Sequence, residues 1–107
     1  MVTETFFAVL VTDMQRAIAF YSSALAAQVK FSSPGWTSLM IAGVRVGLAH
    51  PGTPGPTGLH FAVADLKQAS AAIERAGGRC DAPVEVAPGV IIACATDTEG
   101  NGFTLRG

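Results

Sequence analysis

Apolar residues follow two different spacings within the first 25 residues of the chain. Residues 6–12 form an almost unbroken apolar run rich in aromatic and β-branched side chains, which favours a strand covered on both faces. Asp13 then stands where a helix N-cap belongs. The apolar residues after it recur at steps of three and four, and they are Met14, Ala17, Ile18, Tyr21, Ala24 and Leu25. This segment therefore predicts a strand followed by an amphipathic helix that packs back on the sheet.

A weaker copy of the same segment begins at Gly58. Asp65 is the second predicted N-cap, and the stripe behind it consists of Leu66, Ala69, Ile73 and Ala76. The four residues at 11–14, VTDM, match the four at 63–66, VADL, about half the chain further on. A duplicated structural unit is the simplest explanation of this match.

Further apolar runs predict the remaining strands of each unit. In the first half they cover residues 28–33, 36–42 and 44–50, and in the second half residues 58–63, 79–86, 90–95 and 102–106. Gly77 and Gly78 end the second predicted helix, which covers residues 65–76. The Pro- and Gly-rich segment at 51–57 predicts a linker between the halves. We therefore expect one α+β domain, 1–107, in which βαβββ modules at 1–50 and 58–107 form a curved mixed sheet around a cleft, with helices on the outer face.

Composition and charge narrow the possible partners. A net charge of −1 leaves no basic stripe to neutralise phosphates, so we expect no nucleic acid partner. No apolar run is long enough to cross a membrane, and the N-terminal residues lack the basic region of a secretory signal. These features predict a cytoplasmic protein without a membrane partner.

The chain has two cysteines, Cys80 and Cys94. In a hairpin that turns near Pro88, Cys80 would lie opposite Thr96, so that the two thiols would be diagonal neighbours with poor disulfide geometry. We expect two small buried side chains in a reducing compartment.

Two motifs accompany the predicted order of elements. The first corner reads VTDMQRAIAFY at residues 11–21, and the last turn reads DTEGN at residues 97–101. Together with the βαβββ–βαβββ order, they resemble the vicinal oxygen chelate superfamily, which includes glyoxalase I, extradiol dioxygenases, fosfomycin-modifying enzymes and bleomycin-resistance proteins. The resemblance covers nearly the whole chain and implies a curved sheet that cups a ligand.

Enzymes of this superfamily hold a divalent metal with His and Glu side chains that point into the cup. The resemblance assigns the four corresponding positions to Phe6, Gly47, Gly58 and Thr104. None of these residues is an ordinary ligand for such a metal, because Thr104 offers only a neutral hydroxyl and the others offer no donor. We therefore expect no metal and no other cofactor.

Strand alternation predicts which side chains line the cup. Residues two apart share a face, so Phe6 is grouped with Ala8 and Leu10. The expected ligand-binding residues are Phe6, Trp36, Ser38, Met40, Arg45, His60, Thr104 and Arg106. They form an apolar and aromatic wall with a few polar groups, which is typical of a small-molecule pocket.

Several of these residues have two interpretations. His60 either contacts a ligand, as a hydrogen-bond partner or general base, or is a strand histidine bonded to a neighbour or to water. Trp36 either stacks on a planar ligand or belongs to a core or dimer interface. Arg45 and Arg106 either bind an anionic group or are solvated charges. A metal site built from His50, His60 and a glutamate is a weaker alternative.

The sequence predicts a metal-independent protein that binds and sequesters a small apolar or aromatic compound. We expect no catalytic residue, with His60 as the one weak candidate. A homodimer is expected because the small sheet has free edges to pair. The sequence leaves open whether the two modules pair within one chain or are exchanged between two chains. The alternatives are a lyase, isomerase or dioxygenase-like enzyme, with a non-standard metal site or metal-free acid–base chemistry at His60, and a structural dimer whose own side chains fill the pocket.

Overall fold

The computed structural model describes residues 1–107 as two successive modules. The first contains β1 (Phe7–Leu10), α1 (Met14–Ala24), β2 (Gln28–Ser32), β3 (Trp36–Ile41) and β4 (Val44–Ala49). The second contains β5 (Pro56–Ala62), α2 (Leu66–Arg75), β6 (Arg79–Cys80), β7 (Val84–Ala87), β8 (Val90–Thr96) and β9 (Gly102–Arg106). Neither helix is long and apolar enough to cross a membrane.

Each module has its own mixed sheet, and the two sheets repeat one topology. The strand order is β1-β4-β3-β2 in the first and β5-β9-β8-β6 in the second, where β7 also pairs with β8. The pairs β1–β4 and β5–β9 are parallel, and all other pairs are antiparallel. The predicted α+β class with two βαβββ modules is confirmed.

Two strand boundaries of the second module differ from the prediction. The strand expected at 79–86 is divided into β6 and β7, and Pro83 lies in the gap, where its lack of an amide N–H prevents ladder pairing. β5 begins at Pro56, two residues inside the expected linker, and its pairing with β9 is interrupted between Pro56 and His60. Gly58 lies in this interruption with a φ of 75°, a value that favours glycine.

Both helices begin at the predicted N-caps, and α2 ends just before Gly77, within one residue of the prediction. Asp13 accepts a 3.0 Å hydrogen bond from the amide of Arg16, and Asp65 accepts one of 3.0 Å from the amide of Gln68. Gly77 follows α2 with a φ of 95°, as a left-handed C-terminal residue requires. The helices cover one contiguous core of 16 buried residues drawn from both modules.

The prediction that β1 is covered on both faces is wrong for the single chain. Only Val9 is buried in this strand, whereas the side chains of Phe7 and Leu10 are 45% and 41% exposed. Leu10 lies on the face opposite α1, which no element of the chain covers, whereas Phe7 shares the helix side with Val9 and is exposed at the start of an edge strand. One chain therefore does not bury all the apolar side chains of this run.

The two cysteines do not form a buried pair. Cys80 pairs with Ala95 and is half-buried, whereas Cys94 is exposed. Because Cys94 and Ala95 are consecutive residues of β8, the two thiols lie on opposite faces of the sheet. The expected pairing of Cys80 with Thr96 was wrong by one residue, and Arg79 has that position instead.

Candidate functional site

Strand alternation divides the side chains of β3 between a face of the first sheet that the helix covers and an open face that it does not cover. Thr37, Leu39 and Ile41 of β3 are buried on the helix side. Trp36 and Ser38 alternate with them on the opposite face and are half-buried, as is Met40. The sheet therefore has one face that belongs to the core and one that is free to contact something else.

An aromatic surface occupies the centre of this open face. The indole ring of Trp36 lies over Gly47, where a Cβ atom would overlap Cη2 and Cζ2 of the ring. The indole N–H donates a 3.0 Å hydrogen bond to Oγ of Ser38, and the ring of Phe6 meets the indole edge-on with centroids 5.9 Å apart. Phe6 and Gly47 are two of the four positions that the resemblance assigns to metal ligands, and here they form the edge and the floor of an apolar platform.

Arg45 extends from the same face but already has a partner. Its Nε atom is 3.2 Å from Oε2 of Glu4, and both side chains are about half exposed. Arg45 also lies opposite Met40 in the β3–β4 ladder. Its charge is therefore compensated within the chain.

The open face of the second sheet is polar at its centre. His60 lies opposite Thr104, and Thr104 lies opposite Cys94, so that these three residues form a row across β5, β9 and β8. Arg106 is two residues beyond Thr104, between Ala62 and Ile92 of the flanking strands. This sheet brings together three of the expected ligand-binding residues, which are His60, Thr104 and Arg106.

The metal-ligand positions of the second sheet do not fit a metal either. Gly58 lies in the interrupted part of β5, and Thr104 offers a neutral hydroxyl. Within the chain, no group of three or more His, Cys, Asp or Glu side chains comes close enough to hold an ion. His50 lies just beyond the end of β4 of the first sheet, whereas His60 lies on β5 of the second.

The two open faces do not meet within one chain. No strand of the first sheet pairs with a strand of the second. The predicted residues therefore form two groups, with Phe6, Trp36, Ser38, Met40 and Arg45 on one sheet and His60, Thr104 and Arg106 on the other. It is the helix-covered sides that face each other, since Phe20 of α1 contacts Phe103 of β9 with ring centroids 6.3 Å apart.

A polar network holds the modules in this arrangement. The carboxylate of Glu99, whose side chain is fully buried, accepts hydrogen bonds from the amides of Thr12 and Asp13 and from the Arg16 guanidinium. Desolvation alone raises the pKa of Glu99, but the hydrogen bonds from Arg16, Asp13, Thr12 and Thr98 outweigh it and lower the pKa to about 2. The last turn of the second module thereby caps the first helix of the first.

A second part of the network is buried deeper. The hydroxyl of Tyr21 donates a 2.6 Å hydrogen bond to Asp97, and the side-chain amide of Asn101 donates to both Asp97 and the carbonyl of Leu10. Tyr21 is fully buried, so its hydroxyl lies inside the core and not at its edge. The DTEGN motif was recognised as a turn, but its partners lie 76 to 91 residues away and local patterns do not indicate them.

The largest cavity lies between the modules on their helix-covered sides. Its volume is about 580 Å³, and 13 of its 16 lining residues are hydrophobic. Phe7, Val46, Leu59 and Phe61 are among them, and Trp36 is not. Of the eight expected ligand-binding residues, only His60 borders this cavity.

Comparison with known proteins identifies the family. A family model described as the Glyoxalase/Bleomycin resistance protein/Dioxygenase superfamily matches residues 5–105. The chain therefore belongs to this superfamily, as its motifs indicated. A search of curated protein sequences finds no match.

Solved structures share the fold at low sequence identity. The fosfomycin resistance protein FosX from Listeria monocytogenes is 17% identical with a TM-score of 0.83, over 99% of this chain and 90% of that one. The hypothetical protein SA1046 from S. aureus is 20% identical with a TM-score of 0.79, over 99% and 94%. TnmS3, an antibiotic binding protein from Streptomyces sp. CB03234, is 23% identical with a TM-score of 0.73, over 99% and 97%.

Proposed function

We propose that this protein binds a small apolar or aromatic molecule on the Trp36 surface, without a metal, and acts by sequestration. The observation that carries the proposal is the replacement of donor side chains by an aromatic platform, in which Trp36 covers Gly47 and Phe6 flanks it. Flat aromatic rings bind favourably to such a surface by stacking and by burial of apolar area. The likeness of the fold to TnmS3, an antibiotic binding protein, supports binding of a small molecule.

We further propose that two copies of the chain build the cup. Within one chain, the network around Asp97 and Glu99 keeps the helix-covered sides together, so the two open faces cannot close on each other. β1 and β5 each pair on one side only. Large apolar side chains stay exposed on the first open face, including Phe6 at 43%, Leu10 at 41% and Phe31 at 57%. The second sheet of another copy would cover them and pair the free edges.

A cytoplasmic location is part of the proposal. Both cysteines are free, and their positions on opposite faces of the second sheet prevent a disulfide between them. A reducing compartment suits an exposed free thiol such as Cys94.

Two measurements test the proposal. Sedimentation equilibrium is expected to give twice the 11.0 kDa mass of the chain. In a thermal-shift panel of natural-product antibiotics and aromatic metabolites, at least one compound is expected to raise the melting temperature of the wild type, and this rise is lost in Trp36→Ala. The control is Lys67→Ala, which changes an exposed residue of α2 and leaves the rise intact.

Two results would contradict the proposal. Divalent Zn, Fe, Mn or Ni that survives dialysis in stoichiometric amount, or that raises the melting temperature on its own, would show that the site holds a metal. If the protein instead converted a bound compound, and His60→Ala abolished that conversion without weakening affinity, metal-free acid–base catalysis would replace sequestration.

A further inference from the structure

The second open face holds three hydrogen-bond donors that no protein group satisfies. The side chains of His60, Thr104 and Arg106 make no hydrogen bond or ion pair within the chain, although they lie on neighbouring positions of β5 and β9. The strands β5, β8 and β9 contain no Asp or Glu. An arginine on such a surface has a full positive charge with no carboxylate to compensate it.

The two arginines of the expected cup differ in this respect. Arg45 is paired with Glu4 at 3.2 Å, so binding an anion there would require breaking or sharing that contact. Arg106 has no such competitor, and its planar guanidinium can donate two parallel hydrogen bonds to one carboxylate or phosphonate group. Thr104 and His60 can add one donor each to the same oxyanion.

We propose that the ligand is a planar aromatic oxyanion, with its ring on Trp36 of one copy and its anionic group on Arg106, Thr104 and His60 of the other. This inference rests on the proposed two-copy cup, because one chain does not bring its aromatic and donor surfaces together. The first sheet offers apolar contact, and the second offers charge and hydrogen bonds. A neutral aromatic compound would use only the first surface and leave the donors of the second without partners.

Two probes of nearly equal shape, naphthalene-2-carboxylate and naphthalene-2-carboxamide, share the aromatic ring and differ in charge. Comparing their affinities separates the contribution of the charge from that of the ring. We expect isothermal titration calorimetry to give a dissociation constant about tenfold or more lower for the carboxylate, since hydrogen bonds to charged groups are the stronger ones. Trp36 is the only tryptophan, so its emission reports occupancy of the aromatic surface for either probe.

Three arginine variants complete the experiment. Arg106→Gln is expected to abolish the preference, so that the carboxylate and the carboxamide bind with about equal dissociation constants. Arg106→Lys keeps the charge but loses the bidentate geometry, and an intermediate ratio is expected. Arg75→Gln is the matched control, because it removes an exposed arginine of α2 that lies outside both open faces, and the preference is expected to remain.

Equal affinity for the two probes, or an unchanged preference in Arg106→Gln, would overturn this inference and leave the aromatic binding surface in place. If neither probe produced heat or changed the Trp36 emission, the aromatic surface itself would not bind rings, and the proposed function would fail with the inference. Circular dichroism of each variant shows whether it is folded, so that loss of structure is not mistaken for loss of a contact.

Discussion

The hydroxyl of Tyr21 and the carboxylate of Asp97 form a 2.6 Å hydrogen bond across 76 residues of chain. Tyr21 lies on α1 of the first module, and Asp97 follows β8 of the second. Asp97 also accepts bonds from the amides of Glu99 and Asn101, so one buried carboxylate shapes the last turn and joins it to the first helix. This contact helps to hold the helix-covered sides of the modules together and leaves both open faces outside.

Replacement of Tyr21 by Phe tests the strength of that contact. The ring and its packing stay, but Asp97 loses one donor in a buried position, and we expect the free energy of unfolding to fall by about 1–3 kcal/mol. Urea denaturation measures the change. Ser22→Ala, on the exposed side of α1, is the control and is expected to stay within about 0.5 kcal/mol of the wild type. An equal stability for Tyr21→Phe would show that the bond does not contribute.

The ionisation of Tyr21 can be followed directly, since it is the only tyrosine. Burial, together with the negative charge of Asp97 and the hydrogen bond to it, raises the pKa of Tyr21 far above its usual value. We expect ultraviolet absorbance to show no phenolate up to about pH 11 in the folded protein, and ordinary titration near pH 10 in denaturant. A normal titration curve in the folded state would mean that the hydroxyl is accessible.

Glu99 makes stability depend on acid pH. Its pKa is lowered to about 2 in the folded state from an ordinary 4.5, so the unfolded chain binds the proton more tightly. The stabilisation is therefore fully present above about pH 4.5 and is lost as the pH falls towards about 2. We expect the urea midpoint of the wild type to fall over this interval.

The variant Glu99→Gln checks the origin of this pH dependence. The amide cannot titrate, so the variant is expected to be less stable than the wild type at neutral pH and to lose less stability on acidification. Glu85→Gln, which changes an exposed carboxylate of β7, is the matched control and is expected to follow the wild-type curve. Parallel curves for Glu99→Gln and the wild type would assign the acid sensitivity to other groups.

Gly47→Ala tests the aromatic platform. The new methyl group would overlap the Trp36 ring, so the indole must move away from the sheet. Overpacking of this kind costs about 1–3 kcal/mol, and we expect lower stability together with a red-shifted Trp36 emission. Gly55→Ala is the control, because a Cβ at that position meets nothing within 4 Å. Unchanged emission in Gly47→Ala would mean that the ring does not rest on the glycine.

Local sequence determined which elements form and which way their side chains point. Asp13 and Asp65 cap the two helices as their positions predicted, since a cap needs only the first turn that follows it. Trp36, Ser38 and Met40 share one face of β3 as alternation predicted, because strand geometry sends consecutive side chains to opposite faces. The resemblance carried by the two motifs was also sufficient to recognise the superfamily.

Tertiary structure alone decided which surfaces meet. The apolar run at β1 could not reveal that one chain leaves Phe7 and Leu10 exposed, because coverage depends on elements far along the sequence. In the same way, Arg45 and Arg106 look equivalent in sequence, and only the contact with Glu4 distinguishes them. Periodicity is a property of neighbouring residues, whereas the pairing of faces depends on contacts such as Tyr21 with Asp97 that close long loops of chain.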